Sequence, residues 1–251
     1  MTSVRLEAPS HNTQRPLRRR GLERRQGLRQ PEAQPEDEGG RRALNLLVAS
    51  LGLLLTAPVM VLVACVVKLS SRGPVLYAQT RVGLDRRSRR SPRETSRRRS
   101  NMGGRPFRIY KFRTMSAPSA GAEGAGAEVW ARPNDPRITR VGRVLRSTRL
   151  DELPQLWNVL RGDMNIVGPR PEQPGIFVNL RQQIERYQDR QRVRPGITGW
   201  AQINQAYDSC LEDVRRKVAL DLEYISKRST LEDLKIMALT VPVMVFRKGA
   251  C

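Results

Sequence analysis

A chain of 251 residues with a formal net charge of +22, 46 lysines and arginines against 24 acidic residues, is suited to polyanionic company: nucleic acid, anionic lipid or phosphorylated substrates. Its hydrophobic content of 39% and mean hydropathy of −0.53 exclude a chain embedded mostly in a membrane. Three cysteines without paired spacing argue against a disulfide framework or a zinc site, and a single histidine, His11, leaves acid, base and nucleophile roles to carboxylates.

Residues 1–40 are rich in Arg, Gln, Pro and Glu and poor in apolar side chains, which predicts a disordered basic arm. Residues 43–67 are the one long apolar run, long enough to cross a bilayer as a helix. Pro58 interrupts it, and both flanks are basic: Arg41 and Arg42 before, Lys68 and Arg72 after. Positive charge at both ends favours both on the cytoplasmic side, so residues 41–72 are expected to enter one leaflet, turn near Thr56-Ala57-Pro58 and return. Hydroxyls of Ser50 or Thr56 would satisfy the freed backbone groups. A plain spanning helix is the rival reading. A lipoprotein signal ending at Cys65 is disfavoured by the long preceding segment and by the apolar run that continues past the cysteine.

The remainder, 73–251, is expected to be the catalytic domain, interrupted by a disordered arginine-rich loop over 85–104. Residues 75–82 and 107–114 flank that loop and are β-prone, which predicts a hairpin with Lys111 and Arg113 on one face. Residues 116–128 read as flexible and 133–136 as a turn. Helical spacing over 137–150 leads into Arg146–Pro171, where Arg146 and Arg149 precede the acidic pair Asp151 and Glu152, and Pro169-Arg170-Pro171 follows. Carboxylates among fixed cations suit phosphate chemistry, because a carboxylate can attack phosphorus or hold a metal while arginines hold phosphate oxygens. The same pair could simply complement a helix dipole.

Residues 172–193 are expected to form one amphipathic helix, 194–202 a tight loop led by Arg194, and 208–227 a further helix. Thr230-Leu231-Glu232-Asp233 resembles a capping box opening a last helix. Its apolar run ends at Phe246, too short to span, and suits the membrane interface with Arg247 and Lys248 at the headgroups.

The segments KFRTM (111–115), LDELPQLWNVLRGDMNIVGPRPE (150–172) and RPGITGWAQIN (194–204), with the proline-bearing apolar helix, resemble the bacterial sugar transferase family, the small monotopic polyprenyl-phosphate sugar-1-phosphate transferases. The likeness covers roughly residues 41–248 in the family's order. It implies an α+β, mainly α, monotopic membrane protein with a re-entrant helix-break-helix, a small β hairpin and surface amphipathic helices. It implies transfer of a sugar-1-phosphate from a UDP-sugar to undecaprenyl phosphate, with Mg²⁺ and release of UMP, at the cytoplasmic face of the bacterial inner membrane.

By the same resemblance, Asp151 matches the nucleophile of an aspartyl-phosphosugar intermediate, and Glu152 a partner in metal binding or proton handling, the two being the metal's protein ligands. Arg146 and Arg170 match phosphate-binding positions, and Lys111 and Arg194 are further cations for the substrate. No nucleic-acid partner is expected, although a membrane-anchored nucleic-acid-binding protein and a non-catalytic scaffold are the competing readings. A homodimer is compatible with such a chain. The chain departs from the family pattern at Asn45, where aspartate is usual, in the length and charge of 85–104, and at Gln205-Ala206, where Gly-Arg is common. The four-helix membrane domain of larger relatives is expected to be missing.

Overall fold

Helix α1, Glu38–Ser70, carries the apolar run, and what surrounds it is set by which of its residues are polar. Arg41, Asn45 and Ala49, four residues apart, are buried against the rest of the chain, as are Val63 and Val67 further on. Leu47, Leu51, Leu54, Leu55, Val61, Leu62 and Leu69 point outward and are exposed. The structure, a computed structural model, describes residues 38–85, 103–116, 135–205 and 210–245. The basic arm, nearly all of the arginine-rich loop, residues 117–134 and the Arg247-Lys248 pair therefore lie outside the described residues.

Hydrogen bonds tie α1 to the domain at both ends. Arg41 donates from Nε and Nη2 to Asp233 at 2.9 and 2.7 Å and from Nη2 to the Tyr224 hydroxyl at 2.8 Å. Arg42 donates to the carbonyls of Val159 and Leu160, both at 2.7 Å. Asn45, where the family pattern has aspartate, accepts from the Ile166 amide at 2.6 Å and so anchors the helix to a strand without a charge. At the far end Arg113 donates to the carbonyls of Val67, Ser71 and Pro74.

The helix stays helical through Pro58, so the expected change of direction is not marked by a loss of helical backbone. Thr56 donates back to the Gly52 carbonyl at 2.6 Å, a bond that, like proline, bends helices.

The hairpin forms as its alternation predicts: β1, Leu76–Val82, pairs antiparallel with β2, Pro106–Phe112. Helix α2, Arg140–Ser147, is capped by Thr139, whose hydroxyl accepts from the Gly142 amide at 2.8 Å. Helix α3, Gln155–Arg161, lies on β2, where buried Asn158 accepts from the Tyr110 amide at 3.1 Å and donates to the Arg108 carbonyl at 2.7 Å.

A short parallel pair, β3 (Asn165–Val167) and β4 (Gly196–Thr198), was not anticipated. Gly168 and Gly196 permit the close approach, since a Cβ on Gly168 would collide with the Arg194 carbonyl and the Gly196 amide, and one on Gly196 with the Gly168 amide.

The single helix expected over 172–193 is two pieces: α4, Pro174–Gln183, and a 3-10 turn, Tyr187–Arg192. Between them Ile184 is extended and Arg186 left-handed, with φ 62°, which redirects the chain so that Tyr187 and Arg190 face inward. The expected loop over 194–202 in fact contains β4 and the start of helix α5, Trp200–Asn204. Helices α6, Leu211–Lys227, and α7, Thr230–Val245, complete the fold.

The capping of α7 is shifted by one residue from expectation: the Ser229 hydroxyl, not Thr230, accepts from the Glu232 amide, at 3.1 Å. Asp233 is thereby released to Arg41 and Tyr224. Among the described residues the architecture is mainly helical with a small β component and one helix long and apolar enough to cross a membrane.

Candidate active site

Asp151 and Glu152 sit in a 3-10 turn, Leu150–Glu152, entered through Arg149 in a left-handed conformation (φ 59°). Leu150 and Leu153 pack on the cluster of Val63, Val67, Phe112 and Leu145, which fixes the apolar side of the turn. Both carboxylates are buried, 7% and 8% exposed, and neither caps α3, which begins behind Pro154 with no side-chain cap. The pair thus does not serve α3 as a hydrogen-bonding cap, although both acids stand in the first turn of the 3-10 element before it.

The two carboxylates have different surroundings. Glu152 Oε1 takes Lys111 Nζ and Arg170 Nη2, each at 2.8 Å. Arg170 Nη1 reaches Gln202 Oε1 at 3.2 Å. Asp151 accepts no hydrogen bond from a side chain among the described residues. Arg146, in the last turn of α2, is held by its Nε–H on the Thr114 hydroxyl at 3.0 Å, close enough to act electrostatically on Asp151.

Protonation follows these surroundings. Burial pushes the Asp151 carboxyl above its ordinary range, and the Lys111, Arg146 and Arg170 charges offset it only in part. Burial acts the same way on Glu152, but there Arg170 and Lys111 outweigh it and hold the carboxyl well below the usual glutamate range. Burial in turn lowers the Lys111 ammonium, against the pull of Glu152. One carboxylate is thus tied down as the counter-ion of two cations. The other is desolvated and, among the described residues, takes no side-chain hydrogen bond.

Of the residues singled out from the sequence, Asp151, Glu152, Lys111, Arg146 and Arg170 come together. Arg194 does not join them: its Nε donates to the Gly162 carbonyl at 3.1 Å, and it lines a separate cavity with Arg41, Arg42 and Arg228. Arg113 also turns away, because β2 ends at Phe112 and the alternation that would keep it beside Lys111 ends there. Thr114 and Gln202 were missed. Both lie inside the quoted motifs, but only the fold shows that they position Arg146 and Arg170.

A profile of the family described as bacterial sugar transferase matches residues 37–247. The chain is 44% identical over 203 residues to the UDP-glucose:undecaprenyl-phosphate glucose-1-phosphate transferase of Escherichia coli (strain K12), covering 80% of this chain and 39% of that protein. It is 40% identical over 210 residues to the UDP-N-acetylgalactosamine-undecaprenyl-phosphate N-acetylgalactosaminephosphotransferase of Aeromonas hydrophila, covering 84% and 44%. A UDP-glucose:undecaprenyl-phosphate glucose-1-phosphate transferase of Caulobacter vibrioides is 40% identical over 212 residues, covering 84% and 71%. The match therefore spans about two fifths of the first two relatives and most of the third. With the profile matching residues 37–247 of 251 and these identities over four fifths or more of its length, the chain belongs to the bacterial sugar transferase family.

Proposed function

We propose that this chain transfers a sugar-1-phosphate from a UDP-sugar to undecaprenyl phosphate, releasing UMP. The observation that carries the reading is the asymmetry of the acidic pair: a buried Asp151 that takes no side-chain hydrogen bond among the described residues, beside a Glu152 that fixes Lys111 and Arg170. An Asp151 oxygen attacks the phosphorus that bears the sugar. The bond from that phosphorus to the UMP oxygen breaks, and UMP leaves with the electron pair. An oxygen of the lipid phosphate then attacks the same phosphorus, the acyl–phosphate bond breaks, and the Asp151 carboxylate is restored. Both attacking groups are anions, so neither step needs a histidine base. Arg146, Arg170 and Lys111 offset the charge that accumulates on the phosphates.

A magnesium ion fits this donor set. Mg²⁺ is commonly held by one or two carboxylates and completed by substrate phosphates. Among the described residues no cluster of three or more acidic, histidine or cysteine side chains surrounds the pair. Asp151 and the Glu152 oxygen that takes neither ion pair would hold the ion, which would supply positive charge to the diphosphate.

The test uses the protein in lipid nanodiscs with radiolabelled UDP-glucose or UDP-N-acetylgalactosamine, the sugars named in the relatives above. Without acceptor, one UMP per site is expected, with the sugar label retained on the protein. Adding undecaprenyl phosphate should move the label to lipid. UMP that appears only once acceptor is present would replace the covalent route by direct transfer. No UMP under any of these conditions would remove the assignment.

We infer further that α1 is re-entrant and that the catalytic unit lies at the cytoplasmic face of the inner membrane. Arg41 and Ser71, 30 residues apart, would stand about 45 Å apart on a straight helix. Yet Arg41 is paired with Asp233, and Ser71 accepts from Arg113, so polar groups of one folded unit hold both ends. A straight spanning helix would drag that polar unit through the bilayer, which burial costs forbid. Single cysteines placed at Gly39 and Ser71, in a background with Cys65, Cys210 and Cys251 all replaced by alanine, should both react with an impermeant maleimide from the cytoplasmic side only. Labelling from opposite sides would establish a spanning helix instead.

A further inference from the structure

The segment Pro169–Glu172 has no regular secondary structure, yet every one of its carbonyls is held. Pro169 accepts from the Gly196 amide at 3.0 Å and Glu172 from the Val82 amide at 2.9 Å. Pro171 accepts from Arg81 Nη1 at 3.2 Å, and Arg170 from Arg190 Nη2 at 3.1 Å. Of the two side-chain donors Arg190 is the more enclosed, 1% exposed. Its Nε pairs with Asp221 at 2.7 Å, its Nη1 donates to the Tyr187 hydroxyl at 3.0 Å, and its guanidinium lies 5.0 Å from the Tyr187 ring centre. Asp221 is itself 2% exposed, and Glu172 stands 3.9 Å from Arg190 while taking Lys217 at 2.8 Å.

A buried ion pair of this kind is a poor source of stability, since an apolar pair of similar volume often folds as well or better. What an apolar pair lacks is a donor for the Arg170 carbonyl. We propose that Arg190, oriented by Asp221, is a positioning residue: by fixing the Arg170 backbone it aims the Arg170 guanidinium at Glu152 and at the substrate diphosphate. This inference rests on the phosphosugar-transfer reading. It adds residues on the 3-10 turn and α6 that touch neither substrate nor the acidic pair.

The test is a double-mutant cycle read as the Kd for UDP by calorimetry, which needs no turnover. The paired replacement Arg190→Met/Asp221→Leu is made in the wild type and in Arg170→Ala. A second variant, Arg190→Lys, keeps the charge facing Asp221 while losing the planar fork, and serves if the first does not fold. In the wild-type background UDP binding should weaken about tenfold to a hundredfold, the scale of a misplaced binding group. In the Arg170→Ala background the same replacement should add nothing, because the group it positions is gone.

Equal weakening in both backgrounds would assign Arg190 a purely structural role, as would a loss that merely tracks a fall in melting temperature. An Arg170→Ala variant that binds UDP as tightly as the wild type would overturn the proposal at its root. UMP release by the unmodified protein is scored separately. Turnover with an additive cycle sinks only this inference, whereas no turnover sinks the transferase reading.

Discussion

Asp151→Asn is expected to abolish UMP release and covalent labelling, with a fall on the order of 10⁴-fold or more, the scale reached when a nucleophile is removed. The carboxamide is nearly isosteric, so the loss would not come from altered shape. Nor should it come from unfolding. Asp151 is buried without a side-chain hydrogen bond among the described residues, and burial raises its pKa. A carboxyl whose folded pKa is raised resists ionisation in the native state, so at neutral pH its charge works against folding. The variant should therefore melt at the same temperature as the wild type or higher. The difference should shrink as pH falls through the raised Asp151 pKa, where the wild-type group is neutral too. Melting curves over a pH series check this beside the UMP assay. An Asn variant retaining more than about one hundredth of the rate, against the scale above, would pass the nucleophile role to another group.

How much of this was legible beforehand depended on the range of the interaction. The β1–β2 hairpin, the apolar α1 and the acidic pair announce themselves through local pattern: alternation, hydropathy and charge within a few residues. The pairing of β3 with β4 does not, because three residues per strand are too few to show a period and the partners lie about thirty positions apart. Its trace is two glycines, Gly168 and Gly196, whose close approach only the fold reveals. The break at Arg186 is equally silent, since arginine carries no preference for the left-handed region. The direction of individual cations was the least readable feature. Lys111 and Arg113 look equivalent in sequence, but one closes on Glu152 and the other on the end of α1. Arg194, in a motif as distinctive as that of Arg170, points to a backbone carbonyl instead of the acidic pair. Composition points to arginines as partners for anions; tertiary contacts decide which of them stand at the acidic pair.

Glu152→Gln should act in the opposite sense to the change at its neighbour. Glu152 is the counter-ion of Lys111 and Arg170, both at 2.8 Å, and its carboxyl is held well below the usual range. Its pairing contributes stability that is present above the ordinary glutamate pKa of 4.5 and lost as pH falls through the depressed folded value. Removing the charge at neutral pH leaves two partly buried cations facing each other. A broken buried pair costs about 3–5 kcal/mol, a drop of roughly 6–20 °C in melting temperature for a domain of this size. The effect on chemistry follows from Lys111. Burial and Arg170 push its pKa down, and Glu152 is the larger of the two carboxylate influences that hold it up. Without that charge Lys111 gives up its proton at lower pH, so the alkaline limb of kcat/KM should move toward neutrality. Arg170, always protonated, cannot produce such a limb. A destabilised variant whose alkaline limb stays in place would show that Lys111 does not serve the substrate as a cation. Adjacent carboxylates, one raising stability when neutralised and the other lowering it, would separate the reacting group from the group that organises its surroundings.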